Sequence, residues 1–389
     1  MVLRLALLAS ALAALLAAQG ASAEQIVPTH DDDVVEVLPA AANGRSQERR
    51  LRKQLAQQPR DADLALGMAR RYLDQAHALG DPRYAGLAMA AIAGWTNEAS
   101  MPDAVLMMRA VLQQYLHEFD ASAASLGRLL ARPAAQPRAQ AWLTLATVRR
   151  VQGRYADSDA ACRQVAASGL ARVHASACLA ENAALRGDVD QARATFEGLL
   201  LSFRDSGPAT RAWLLTSLAE LEQRAGRPAA ADAAFQASLK LERDSYTQLS
   251  YADFLIEQKR PAQAISLLKG EVRTDAVLLR LAIAGKQSRA ATAAADAAEM
   301  RERIMLANER PDAKVFHGRE QAMFALQVEG QAPLALELAR GNAAQQREPL
   351  DLLVFAQAAR ATADPAALQS VRKLTQAIGL RDQRVESLL

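Results

Sequence analysis

RGDVDQARATFEGLL, residues 186–200, reads as a turn followed by one side of an amphipathic helix. Its glycine suits a backbone position with positive φ. Asp188 with Gln191 three residues later is typical of a helix N-terminal capping box. The small Ala192 and, one turn later, the large Phe196 share one helix face. This order predicts the turn and second helix of a helix–turn–helix unit.

The same spacing recurs along most of the chain. We place equivalents of Ala192 at Leu87, Ser122, Ser158, Ala231, Ala264, Ala297, Ala335 and about Ala366, in steps of 31 to 39 residues. A drifting period near 34 is typical of helix–turn–helix repeats. Small residues let two helices approach closely, glycines end the first helix of a unit, and prolines open the second. The glycines are Gly153, Gly187, Gly226 and Gly330, and the prolines are Pro82, Pro228, Pro261, Pro333 and Pro365.

The clearest unit, AWLTLATVRRVQGRYADSDAACRQV at residues 141–165, resembles the tetratricopeptide repeat family. Residues 64–95 also resemble the opening of exported bacterial proteins of this class whose function is unknown. The resemblance implies an all-α fold, a right-handed α-solenoid of about nine stacked antiparallel helix pairs over residues 60–380. Arg149, Ala183 and Glu222 replace the family's tyrosine in the first helix, which leaves a related helical-pair repeat open.

The repeat register is open between Val272 and Asn342, where a 38-residue step predicts a longer helix or loop around Ala307–Lys314. Residues 381–389 are expected to form a C-terminal tail.

The first 23 residues are typical of a secretory signal peptide, with an apolar run followed by Ala21-Ser22-Ala23. We expect cleavage between Ala23 and Glu24, and a mature protein in the periplasm or secreted; the alternative is an uncleaved anchor. No later stretch is apolar enough to predict a transmembrane segment.

Residues 24–59 are expected to run from an extended or disordered stretch into a basic first helix. HDDDVVEVLP at 30–39 fits a disordered tether or a strand that adds to a partner's sheet. ERRLRKQ at 48–54 fits a solvated helix or a contact for an anionic lipid or polysaccharide.

Charge and motifs argue against several functions. A formal net charge of +3 with interspersed signs does not favour a nucleic-acid-binding protein. The chain contains no phosphate-binding glycine loop, nucleophile elbow or H-E-x-x-H motif. Its five histidines share no metal-ligand spacing. The sequence therefore predicts a protein that is not an enzyme and has no cofactor and no metal site.

Two cysteines lie in neighbouring helices of adjacent units. Cys162 takes the position that Phe196 occupies in the next unit, and Cys178 lies in the helix expected to pack against it. In an oxidising compartment two cysteines within reach form a disulfide. The alternative is two buried free thiols that act as small apolar residues.

The family resemblance implies that first helices line a concave groove, with the residue after the small position pointing into it. That position holds Val111, Thr147, Glu181, Glu220 and Asp253. The last three predict an acidic partner-binding groove for a cationic or N-terminal-amine ligand; alternatively, they are ordinary solvated residues paired with Arg150 or Arg224. The predicted function is a non-catalytic periplasmic protein-interaction scaffold or assembly factor for an envelope complex. The alternative is a groove-type binding module for a peptide, glycan or other small ligand.

Overall fold

The computed structural model describes residues 43–133, 138–169, 171–205, 207–309 and 318–389. The expected signal peptide, the HDDDVVEVLP stretch and residues 310–314 of the predicted loop lie outside these ranges. The chain divides into two compact units, residues 1–56 and 57–389. Helix α1 (Asn43–Gln57) carries the basic stretch and belongs, except for its last residue, to the first unit. No helix among the described residues is long and apolar enough to cross a membrane.

Residues 57–389 form an all-α solenoid of consecutive antiparallel helix pairs. We number the nine pairs found within the described residues 1 to 9. They are α2 (Ala62–Leu79) with α3 (Arg83–Ala91), α4 (Asp103–Tyr115) with α5 (Phe119–Ala131), α6 (Ala139–Val151) with α7 (Tyr155–Ala167), α8 (Arg172–Leu185) with α9 (Val189–Ser202), α10 (Pro208–Arg224) with α11 (Pro228–Leu241), α12 (Ser245–Glu257) with α13 (Pro261–Leu268), α14 (Asp275–Ser288) with α15 (Ala293–Asn308), α16 (Gly318–Phe324) with α17 (Ala332–Gln345), and α18 (Pro349–Ala361) with α19 (Pro365–Ile378). A π-helical turn, Ala325–Glu329, extends α16, and a short α20 (Gln383–Glu386) follows pair 9.

The contacts between pairs define an inner and an outer layer. The first helix of each pair packs against its own second helix and also against the first helix of the next pair. Within the described ranges, no two consecutive second helices make comparable contact. First helices therefore form the inner layer of the curved stack, and second helices form the outer layer.

The small positions pack as their spacing predicts in most pairs. Ser122, Ser158, Ala192, Ala231, Ala264 and Ala335 are all fully or almost fully buried. Phe196 and Phe235, one turn after their small residues, are completely buried as well. Three positions slip by one residue, because the buried side chains are Ala88, Asp296 and Ala367 rather than Leu87, Ala297 and Ala366.

The turn chemistry is confirmed in most details and wrong in one. The predicted glycines all have positive φ. The structure also shows a cap at α19, where Asp364 accepts a hydrogen bond from the backbone N–H of Ala367. Asp188 precedes α9 but makes no side-chain cap hydrogen bond, so the capping box predicted with Gln191 is wrong. Backbone bonding closes this turn instead, because the N–H of Asp188 donates to the carbonyl of Ala183.

The inner layer changes character along the chain. The inner sides of α6, α8, α10 and α12 carry half-buried polar side chains. By contrast, nearly all residues of α14 from Val277 to Gly285 and of α18 from Asp351 to Ala359 are buried. A helix that is buried on all sides belongs to a core. The apolar core is therefore densest in pairs 7–9, and the accessible inner surface lies on pairs 3–6.

Candidate functional site

The five residues that the sequence places in the groove are all half-buried: Val111, Thr147, Glu181, Glu220 and Asp253. From α6 to α14, polar contacts join neighbouring first helices on this side. Together with the side chains that they contact, the last four form what we call the inner face. The three carboxylates differ in their partners, and this difference determines what the inner face can bind.

Glu181 and Asp253 are neutralised by arginines of adjacent first helices. Glu181 forms an ion pair with Arg150 of α6 and also accepts a hydrogen bond from Ser217 Oγ at 2.7 Å. Asp253 Oδ2 accepts a hydrogen bond from Arg280 Nη2 of α14 at 2.6 Å. Arg150 is one of the partners that the sequence left open, whereas Arg280 was not anticipated. These two carboxylates hold helices together and carry little unbalanced charge.

Glu220 has hydrogen-bond donors but, within the residues that the structure describes, no ion pair. Tyr246 Oη and Ser250 Oγ of α12 both donate to Glu220 Oε1, at 2.7 and 3.1 Å. Oε2 receives no hydrogen bond from any residue in the described part of the chain. Arg224, one turn later on α10, has no carboxylate within 4 Å among the described residues, and its Nε is buried without a hydrogen-bond partner. Among the described residues, Glu220 is therefore the carboxylate of the inner face that lacks an ion pair, and its Oε2 is vacant.

The surroundings of Glu220 change its protonation. Burial raises the pKa of the Glu220 carboxyl, while the charge of Arg224 and the hydrogen bonds from Tyr246 and Ser250 lower it. In turn, the negative charge of Glu220 and its hydrogen bond with Tyr246 raise the pKa of the Tyr246 hydroxyl, and the charges of Glu348 and Glu181 add to this rise. Tyr246 thus remains a neutral hydrogen-bond donor. Because Glu348 directly precedes α18, the start of pair 9 also contributes to the electrostatic field at the inner face.

Aromatic side chains lie on the same side of the inner helices. His174, Trp213 and Tyr246 each precede a groove carboxylate by seven residues, two turns along the same helix face. The rings of His174 and Trp213 stack with centroids 5.1 Å apart. Tyr246 is 61% exposed. Aromatic faces beside a carboxylate suit an organic cation. This row was missed at the sequence level, although its seven-residue spacing was readable.

A buried hydroxyl cluster fixes the helices that carry Glu220 and Tyr246. Thr216 Oγ1 of α10 lies 2.9 Å from Ser238 Oγ of α11 and 2.7 Å from Thr247 Oγ1 of α12. Thr247 Oγ1 also donates to Asp244 Oδ2 at 2.6 Å. All of the hydroxyl groups in this cluster have partners, so it stabilises one arrangement of the three helices.

The cysteines are joined in the structure as a Cys162–Cys178 disulfide, with Cα atoms 6.0 Å apart. The bond connects α7 of pair 3 to α8 of pair 4. Asn182, one turn after Cys178, donates to Ser158 Oγ at 2.8 Å and to Asp159 Oδ1 at 2.9 Å. These links hold α8, and with it Glu181, against the preceding pair.

Among the described residues, no group of three or more His, Cys, Asp or Glu side chains could hold a metal ion. The inner face offers groups that are suited to non-covalent binding: the vacant carboxylate oxygen of Glu220 and the exposed phenol of Tyr246.

No protein-family model matches the sequence, and no curated protein matches it either. Solved structures do match. The crystal structure of Rap protein complexed with Competence and Sporulation Factor aligns with a TM-score of 0.50 and 12% identity, over 89% of this chain and 93% of that one. A tetratricopeptide repeat protein from Parabacteroides merdae aligns with a TM-score of 0.38 and 12% identity, over 65% of this chain and 97% of its own.

The fold is tetratricopeptide-like. This confirms the resemblance drawn from residues 141–165 and the solenoid that it implies. At 12% identity the similarity extends to the fold of the tetratricopeptide-like array and not to its ligand.

Proposed function

We propose that the protein is a non-catalytic interaction scaffold that binds a cationic segment of a partner polypeptide on the inner face of pairs 4–6. The observation that carries this proposal is the state of Glu220, whose Oε2 is vacant while both neighbouring carboxylates are ion-paired. A partner ammonium or guanidinium group would take that oxygen. It would lie beside the exposed ring of Tyr246, which adds cation–π attraction.

A polypeptide partner fits the dimensions of the site. The polar contacts of the inner face run across five successive first helices, from Arg150 on α6 to Arg280 on α14. An extended segment can contact several of these helices at once, which a compact ligand cannot. The Rap protein, with a similar fold, was crystallised in complex with Competence and Sporulation Factor, and that complex supports a binding role for such an array.

We also propose that the protein is exported, because residues 1–23 are typical of a signal peptide. In that compartment it would help to assemble or stabilise an envelope complex. If residues 1–30 direct export, their fusion to a reporter that is active only outside the cytoplasm gives activity there. The purified native protein then begins at Glu24. An intact Met1 on that protein would argue against cleavage.

A glycan-binding module is less well supported. Trp95 is 4% exposed, and Trp142 packs against the cluster that contains the disulfide. Trp213 stacks on His174 and packs against the core of pairs 4 and 5. None of the three tryptophans therefore offers an open platform. Retention of glycans on an array, with no protein recovered from envelope extract, would favour this alternative over ours.

The binding proposal is tested with Glu220→Gln, which removes the charge and keeps the shape. The matched control is Glu302→Gln, an exposed glutamate on α15. We expect the variant to recover less of its partner from envelope extract than the parent and to lose most of the salt dependence of binding, whereas the control matches the parent. Equal recovery and equal salt dependence by Glu220→Gln would rule out Glu220 as the recognition charge. Reversing the charges of Glu181 and Asp253 by substitution with lysine is a poorer test, because it would also break their ion pairs.

A further inference from the structure

The last eleven residues, 379–389, which we call the C-terminal segment, pack against the edge of the array that is formed by the turns within pairs. The backbone N–H of Arg381 donates to the carbonyl of Leu185 at 2.8 Å, and Arg384 Nη1 lies 3.2 Å from Glu257 Oε2 at the end of α12. Leu380 and Val385 are buried. The segment thus reaches across pairs 4–6, the same pairs that carry Glu181, Glu220 and Asp253.

Other parts of the C-terminal half approach the same edge. The backbone N–H of Arg347, between α17 and α18, donates to the carbonyl of Val151 at the end of α6, at 2.7 Å. Gln346 Oε1 lies 2.9 Å from His117 Nδ1 in the turn of pair 2. Thr274, before α14, lies next to Gly80 in the turn of pair 1. These contacts and those of the C-terminal segment form one line, which we call the seam.

The glycines in the turns follow the seam. A Cβ on Gly80 would lie 2.8 Å from Thr274 Cβ, and one on Gly153 would lie 3.0 Å from Ile378 Cγ2. A Cβ on Gly187 would lie 3.2 Å from Arg381 Cγ, and one on Gly226 would overlap the end of the Gln383 side chain. Positive φ does not by itself require glycine in these turns, because four other residues adopt it: His117, Lys259, Arg289 and Ala363, with φ of 60°, 58°, 55° and 51°. Gly330, whose turn has open space around it, is the exception.

The seam has an apolar part and a polar part. Leu380 and Val385 of the C-terminal segment belong to the same apolar cluster as Tyr155 and Leu185 of pairs 3 and 4. The polar part contains a cleft of about 560 Å³ that is open to solvent, lined by the turns of pairs 2 and 3 and by residues 344, 345 and 347. Its lining is mainly polar and includes Asp120, Arg154 and Arg347. By contrast, the helices within each pair pack through continuous apolar contacts. Because few buried apolar contacts support the polar part beside this cleft, we expect the seam to open there at the lowest free energy.

We infer that the C-terminal segment is a clasp that holds the array closed beside the inner face, and that a large partner reaches this face when the seam opens. The glycines at positions 80, 153, 187 and 226 permit the close approach on which closure depends. This inference concerns access to the inner face and does not depend on which ligand binds there.

The test measures access with a bulky reagent. The chain's two cysteines are joined in the disulfide, so one introduced cysteine reports a single position. Ser250→Cys places it on the inner face, and Ser202→Cys places it on the exposed end of α9 as a reference. Both single-cysteine proteins are alkylated with a maleimide attached to a large polyethylene glycol chain. Each is measured at full length, without and with the further substitution Glu257→Lys. Glu302→Lys makes the same charge change away from the seam.

We expect Glu257→Lys to speed alkylation of Ser250→Cys about fivefold, equivalent to about 1 kcal/mol in the opening equilibrium. Glu257→Lys should leave the alkylation rate of Ser202→Cys unchanged. The Glu302→Lys control should leave the alkylation rate of Ser250→Cys unchanged. Hydrogen exchange should show faster exchange of residues 380–386 in the same variant. Truncation after Gly379, with circular dichroism unchanged, should increase the rate further. An unchanged alkylation rate when residues 380–386 are deprotected or removed would overturn the inference.

Discussion

Helices α10 and α18 are both inner, first helices of their pairs, but their surroundings are opposite. α10 keeps Glu220 and Arg224 half-buried on its inner side, whereas α18 is buried around almost its whole circumference between Asp351 and Ala359. Their sequences differ accordingly: SLAELEQR in α10 alternates apolar with charged residues, and LDLLVFAQAA in α18 does not. The same repeat architecture thus leaves an accessible polar face in one region and completes a core in the other.

The two regions also differ in the surroundings of their carboxylates. On the inner face, Glu181 pairs with the partly solvated Arg150, and Asp253, itself partly solvated, pairs with Arg280, which is buried in α14. In the filled region Asp351 is 1% exposed, accepts hydrogen bonds from the backbone of Glu348 and from Asn342, and lies 3.4 Å from Arg319. Burial raises the pKa of Asp351 to about 7. A buried carboxylate here serves the N-terminus of α18 and is not free to bind a ligand.

The largest expected effect comes from placing the same new charge in each region. Ala356→Glu puts an unpaired carboxylate into the core around α18 and should destabilise the protein by about 4 kcal/mol or more. Thr147→Glu, on the inner face three residues before Arg150, should change the free energy of unfolding by less than about 0.5 kcal/mol. Urea denaturation measures both. Equal costs would mean that the two regions do not differ as described.

The next largest loss of stability is expected from substitutions between the two helices of pair 4. Phe196→Ala should cost about 3–5 kcal/mol, because a completely buried ring leaves a cavity. Ala192→Leu should cost about 1–3 kcal/mol by overpacking the pair. Thermal and urea unfolding check both variants, and parent-like stability in both would contradict the register of pair 4.

The disulfide stabilises the region that carries the inner face. It closes a loop with a sequence separation of 16 residues, so its removal by Cys162→Ala with Cys178→Ala should cost about 3 kcal/mol. Alkylation of the exported protein before and after reduction, followed by mass spectrometry, counts the thiols. Two free thiols before reduction would contradict the bond.

The smallest expected effect is the pH dependence from Glu220. Its raised pKa means that the charged form is disfavoured in the folded state, so its contribution to stability is greatest at low pH and falls as pH rises through the folded pKa. Glu220→Gln should therefore raise Tm by about 1–2 °C at pH 8 relative to the parent, and by less at pH 4. Thermal melts at both pH values measure the difference; a variant less stable than the parent at pH 8 would contradict it.

The sequence predicts the repeat better than the site. The small residue and the large side chain one turn later depend on contacts within one pair, so Ala192 and Phe196 could be placed from local spacing. The register failed at Leu87 and Ala366, where an alanine at the next position made the pattern ambiguous. At Ala297, the buried residue is Asp296, which forms an ion pair with Arg273, and a hydropathy pattern cannot predict such a pair.

The ion pairs of the inner face and the contacts of the seam could not be predicted from local spacing, because they join residues of different helix pairs. The sequence indicated three groove carboxylates and named Arg150 as a partner. It did not indicate the Asp253–Arg280 ion pair, because these two residues lie in neighbouring helix pairs. The seam links Leu185 to Arg381 and Glu257 to Arg384, at separations that no repeat period predicts. The turn glycines were read as φ requirements alone, whereas most of them also accommodate the approaching chain.

The most direct test of the inner face as the binding surface is site-specific photo-crosslinking in envelope extract. A benzophenone amino acid is placed at Ser250 on the inner face or at Ser202 on the exposed end of α9 in otherwise identical protein. We predict a discrete crosslinked polypeptide from position 250 that is lost with Glu220→Gln, and none from position 202. A crosslink from position 202 alone, or one from position 250 that persists with Glu220→Gln at the same yield, would contradict the account.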